Sequence, residues 1–243
     1  MTLSFLQTFH WSNALSLGWF LLCWVGYSYF AHYMAKRSHS LSSVLHDHRV
    51  SWMRTLLNRE ALVADAALIS NIERQVSFFA STTILVLAGL LAVIPNISTI
   101  YQLLAQVPFF EQTSESEIQL RVMVLCCIFV YAFFTFTWAM RQFGFSSVLM
   151  GAAPLRKDEA ISQQHRNQYA RYTAKLIDQA SHTYNYGLRA YYFAMAIFPW
   201  FISQWLFVGA TALVVAVLYH REFHSKPLLT LRALAKMSKN SDS

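Results

Sequence analysis

Four long stretches of the chain carry no Asp, Glu, Lys or Arg: Leu15 to Met34, Ser77 to Ile94, Val122 to Met140 and Ala190 to Tyr219. Polar interruptions in the first are Ser16, Ser28 and His32. Each stretch approaches or exceeds the ~20 residues with which an α-helix crosses a ~30 Å hydrocarbon layer. None shows the two-residue alternation of a barrel strand. The pattern predicts an all-α, polytopic helical membrane protein.

Between these runs the polar segments also carry helical periodicity. There is neither Gly nor Pro from Ser51 to Ala88, so the second apolar helix is expected to extend well beyond the membrane. Leu62, Asp65, Ile69, Ile72 and Val76 follow three- and four-residue spacing and share one face of that extension. Leu41, Leu45, His48, Trp52 and Leu56 form an upstream stripe on a helix that packs on the bundle or lies at the lipid surface. After Pro154, Asp158 can cap a helix running through Tyr169, Thr173, Leu176, Ala180 and Tyr184 into the fourth apolar run.

That fourth run, AYYFAMAIFPWFISQWLFVGATALVVAVLY, decides the number of crossings. As one helix it would measure ~45 Å, too long for one span and too short for two. The wider apolar reach from His182 to Phe223 accommodates two helices of ~19 residues and a tight turn. Pro199 weakens the end of the first helix, and Ser203 can N-cap the second. The hairpin gives about five spans, near 13–35, 77–95, 121–141, 182–201 and 204–222. The alternative is one long proline-kinked helix over 190–219, giving four. Residues 1–225 read as a single helical transmembrane domain. Residues 226–243 read as a basic cytoplasmic tail, expected to be disordered, most clearly after Lys236.

Charge sharpens the picture. Charged residues make up 13% of the 243, against ~25% in ordinary soluble domains. Residues 1–13 and 95–120 contain no Lys or Arg. The segment 35–76 holds Lys36, Arg37, Arg49, Arg54, Arg59 and Arg74, and 141–189 holds seven cations. By the positive-inside rule the two basic segments lie in the cytoplasm, and the N-terminus and the acidic loop with Glu111, Glu115 and Glu117 lie outside. Five more cations follow Tyr219, and a fifth crossing returns them to the cytoplasm. These features place the protein in a bacterial inner membrane. The net charge of +7 fits cytoplasmic loops meeting anionic lipid headgroups, so no nucleic-acid partner is needed. The first run is not a cleaved signal peptide, since no Lys or Arg precedes it. Cys23, Cys126 and Cys127 fall inside spans and read as small apolar core residues.

Candidate chemistry is sparse. Under the hairpin reading Arg189 lies ~20 Å from the outer turn, within the inner part of the hydrocarbon layer. A charge there faces a partner or a water-filled cavity, or snorkels to the headgroups. Asp65, on its apolar seam, is the favoured partner, with Asp178 second. Arg74 and Arg141 are further intramembrane ion-pair or polar candidates, Arg141 reading equally as an interface anchor. Ser81 and Thr82, with Ser77 and Thr83, give the second span a polar side that packs helices or lines a pore. His220 and His224, four apart, are weak metal candidates without an evident third ligand. No phosphate loop, nucleophile elbow, HExxH or dinucleotide fingerprint occurs. Neither catalytic residues nor a cofactor is therefore expected, and the protein does not read as an enzyme.

Four stretches resemble a known family: REALVADAALISNIERQVSFFASTTILVLAGLL (59–91), FTWAMRQFGFSSVLMGAAP (136–154), YNYGLRAYYFAMA (184–196) and FVGATALVVAVLYHREF (207–223). They are similar to the bacterial and plant membrane family catalogued as domain of unknown function 599. The family's Arg-Gln-Phe-Asn stretch appears as Arg141, Gln142, Phe143 and Gly144, and its frequent Pro-Trp as Gln204-Trp205. The resemblance implies a membrane-embedded domain and no particular activity. Two functional classes remain. One is a homo-oligomeric channel or carrier for a small solute or ion, its path lined by Arg189 and the Ser/Thr side of the second span. The other is a non-enzymatic scaffold or accessory subunit, holding a partner protein or anionic lipid through its basic cytoplasmic face. A cavity reaching Arg189 favours the first; a solid core with an apolar cytoplasmic groove favours the second.

Overall fold

A computed structural model describes residues 11–37, 40–59, 61–107, 113–154 and 161–241. Among these the chain is helical, with no strand. In chain order the helices are α1 (Trp11–Arg37), α2 (Leu41–Leu56), α3 (Val63–Val93), α4 (Ile97–Leu104), α5 (Glu115–Gly151), α6 (Gln163–Ile197), α7 (Gln204–Phe223) and α8 (Lys226–Ser241). Serine hydroxyls cap four of them. Ser40, Ser114, Ser162 and Ser203 accept from the backbone N–H of Ser43, Glu117, His165 and Trp205, each at 3.3 Å. Such caps satisfy donors that a helix start leaves without an intrahelical partner. Asp158, the expected cap of α6, lies outside the described residues, and Ser162 does that work.

The apolar stretch at 190–219 is a helical hairpin and not one continuous helix. α6 ends at Ile197, a short 3-10 turn runs over Phe198–Phe201 with Pro199 inside it, and Ser203 starts α7. Tyr192, before the turn, meets Arg221, near the end of α7, so the two helices pack antiparallel. Arg121 of α5 is 4% exposed and donates to the Trp200 carbonyl at 2.6 Å, fixing the turn to its neighbour. Its other partners include Glu117, at 3.8 Å, which accepts from Asn13 of α1 at 2.8 Å. Gln204 reaches α1 as well, donating to the Ser16 hydroxyl at 2.5 Å.

Four helical segments are long and apolar enough to cross a membrane: Trp11–Ala31, Val63–Leu104, Glu115–Gly151 and Gln204–Leu234. The expected span at 182–201 forms the second half of α6, which is not among them. The reason is position. α6 packs on α5, α2 and α7, and its buried face carries Ala170, Ala174, Ala180, Gly187, Ala190 and Ala194. A helix surrounded by protein has no need of an apolar exterior, and small residues let its neighbours approach closely. The outer helices carry the opposite signature: Leu22, Leu85, Phe134 and Leu213 are each more than 60% exposed. Apolar side chains presented outward in such numbers are consistent with a multi-pass membrane protein.

The seam predicted along the second span holds. Asp65, Ile69 and Val76 are buried and Ile72 packs against the core. The upstream stripe faces inward, with Leu56 buried and Trp52 packed against the core, and Val44 and Met53 beside it are the other buried residues of α2. The tail differs from expectation. It is helical from Lys226 to Ser241, docked on α2 through a fully buried Leu228. Leu228 and the half-buried Leu231, three apart on the helix, give this basic segment an apolar stripe that a composition reading averages away.

Candidate functional site: an arginine-lined cavity

At the end of the bundle opposite the Arg121–Trp200 turn, the helices part around a half-open cavity of 560 Å³. α6 supplies Asn185, Leu188, Arg189 and Tyr192, α7 supplies Leu218, Arg221 and Glu222, and α1 and α2 add Tyr27 and Arg49. The spacing on α6 follows from helical geometry, since residues three and four apart share a face. Phe143 of α5 and Ile72 of α3 add apolar lining. Further along the bundle Phe20, Phe193, Phe207 and Trp200 are each no more than 1% exposed. The stacked rings of Trp200 and Phe207, 4.5 Å apart, are part of this solid aromatic block beneath the turn.

Arg189 points into this cavity, and its guanidinium carbon lies 5.3 Å from the Tyr27 ring and 5.5 Å from the Tyr186 ring. No described carboxylate is within ion-pair distance of it. Arg221 is arranged similarly: it donates to the Tyr192 hydroxyl and lies 5.3 Å from that ring. The third cavity arginine, Arg49, is neutralised, donating to Asp178 at 2.5 Å, while the other oxygen of Asp178 contacts His46. Glu222 is the one carboxylate among the described lining residues. Two unneutralised guanidinium groups against one carboxylate leave the cavity net positive.

The other sequence candidates are dispersed. Asp65 is fully buried but does not meet Arg189; its Oδ1 accepts from Arg59 and from the Trp52 indole, both at 2.6 Å. The chain turns between α2 and α3, bringing residues six and thirteen positions upstream onto Asp65. Asp178 likewise serves α2 instead of Arg189. Ser81 is exposed and Thr82 hydrogen-bonds its own helix at Phe78, so neither lines the cavity with Arg189. The inward member of that group is Thr83, 2.8 Å from the Tyr191 hydroxyl. Arg74 and Arg141 are exposed, the latter over the Phe145 ring at 5.8 Å. His220 and His224 stack with ring centroids 6.1 Å apart, and no group of three potential metal ligands forms among the described residues. Sequence reasoning missed Tyr27, Tyr186, Tyr192 and Arg221. Tyr186 and Tyr192, three positions either side of Arg189, were the available signal.

An all-helical bundle with outward apolar faces and an arginine-lined cavity at one end defines the class, a helical protein compatible with membrane insertion. The family model described as protein of unknown function, DUF599, matches residues 15–227, and the chain belongs to that family. Neither the curated proteins nor the solved structures contain a match.

Proposed function

We propose that the protein is a non-enzymatic carrier of a bacterial inner membrane that takes up a small solute in the arginine-lined cavity. Five crossings, with the N-terminus outside and the C-terminus in the cytoplasm, put that cavity at the cytoplasmic end, where the basic segments meet anionic headgroups. The observation that carries the reading is a 560 Å³ cavity reaching Arg189, of the size of a ligand site, with that arginine left without a carboxylate partner. A charge at this depth is functional by default when it faces such a space. The aromatic block at Trp200 and Phe207 favours a carrier open to one side over a continuous channel. The binding space lies within one chain, so a homo-oligomer is compatible with this reading but not required by it.

The block also supports a second reading, a scaffold in which the same cavity seats a lipid headgroup permanently. Reconstitution into liposomes separates them. Uptake of a labelled small anion that saturates with concentration, and falls at least tenfold in Arg189→Gln, supports the carrier. Retention of native lipid through purification with no uptake of any solute supports the scaffold.

A further inference from the structure

The three arginines that line the cavity, Arg49, Arg189 and Arg221, differ in what holds them. Arg49 contacts the carboxylate of Asp178, as Arg59 and Arg121 contact those of Asp65 and Glu117, Arg121 lying also 5.2 Å from the Trp200 ring. Arg189 and Arg221 are held by tyrosine rings, at 5.3 to 5.5 Å, and both line the cavity. The difference is chemical. A carboxylate takes up in-plane N–H donors of a guanidinium, whereas a ring contact takes none; Arg221 gives one N–H to the Tyr192 hydroxyl and keeps the rest of its fork. The ring contacts also limit the rotamers of two long side chains, so less freedom is lost when a ligand arrives. Arg189 comes from α6 and Arg221 from the antiparallel α7, so the two side chains line one space from different walls.

We infer that Arg189 and Arg221 form a preorganised clamp for a phosphate group, with Tyr27, Tyr186 and Tyr192 as its supports. This rests on the cavity being a binding site, as proposed above, and names the ligand class. Two planar forks offer more donors than one carboxylate can accept, and match the several oxygens of a phosphate. Glu222, on the same wall as Arg221, disfavours a fully ionised polyphosphate and suits a ligand with one phosphate. The phosphate can come from an anionic phospholipid headgroup or from a water-soluble phosphate ester; the clamp chemistry is the same.

The test uses the full chain, purified and followed by thermal unfolding. Inorganic phosphate and glycerol 3-phosphate are the soluble probes, with chloride at matched ionic strength as control. Nanodiscs of phosphatidylglycerol are compared with nanodiscs of phosphatidylcholine for the lipid source. The expectation is stabilisation by phosphate probes and none by chloride. Binding should weaken about tenfold or more in Arg189→Gln and in Arg221→Gln, and be unchanged in Arg141→Gln, which alters an exposed arginine outside the cavity. Arg189→Lys, keeping the charge without the fork, should recover only part. A response to the soluble probes identifies a solute site; one confined to phosphatidylglycerol identifies a headgroup site. If Arg189→Gln does not survive purification, Arg221→Gln at the rim and the phosphate-against-chloride comparison on wild type decide. Equal stabilisation by chloride, no response to any phosphate probe, or full retention in both Gln variants overturns the clamp. Phosphate binding without uptake leaves the clamp standing and removes the carrier; uptake independent of phosphate and of Arg221 removes the clamp alone.

Discussion

Gly187 shows how tightly single residues constrain this bundle. A Cβ built there would lie 2.5 Å from the ring of Phe136, itself fully buried between α5 and α6. Gly187→Ala should therefore cost about 1–3 kcal/mol through overpacking, read as a lower unfolding temperature in detergent. Phe136→Leu in the same chain should return part of the loss. Asp65 makes a second residue-scale case. It shares one oxygen between Arg59 and Trp52, so a double-mutant cycle of Asp65→Asn with Arg59→Gln should show coupling of about 0.5–3 kcal/mol. The same cycle with Arg189→Gln should be additive within about 0.5 kcal/mol. The periodicity at 62–76 made the burial of Asp65 legible. Its partner was hidden because the α2–α3 turn contains neither Gly nor Pro, so nothing in the composition marked where the chain reverses.

At the scale of elements, the hairpin of α6 and α7 depends on a polar node at its turn. Arg121, 4% exposed, holds the Trp200 carbonyl at 2.6 Å and faces Glu117. Replacing it by Met leaves that carboxylate and carbonyl short of a donor, and should cost about 3–5 kcal/mol. Thermal unfolding checks the size of the loss, and Glu117→Gln added to Arg121→Met should make the total smaller than the sum of the singles. The break itself was readable from Pro199 and Ser203, a helix stop beside a cap. The rank of α6 was not, because hydropathy reports exposure to lipid and α6 is enclosed by α5, α2 and α7. The docking of α8 was hidden for a related reason: two leucines on one face decide it, while the composition of the tail is polar.

For the whole molecule, the apolar outer faces are consistent with a multi-pass membrane protein, and the proposed topology adds five crossings with every cation-rich segment on one side. The sequence supplied the charge asymmetry and the length of the fourth run. What lines the cavity required helices from distant parts of the chain, α1, α2, α6 and α7 among them, to meet, which no local pattern reports. The central claim is that the chain returns at Pro199–Ser203, so that Arg189, Arg221 and the C-terminal helix share the cytoplasmic side. It is tested most directly by paired reporters fused after Ser243, a fluorescent protein that matures only in the cytoplasm and a phosphatase active only outside it. The account predicts fluorescence and no phosphatase activity at that position; an active phosphatase on a dark fluorescent fusion would place the C-terminus outside and contradict it.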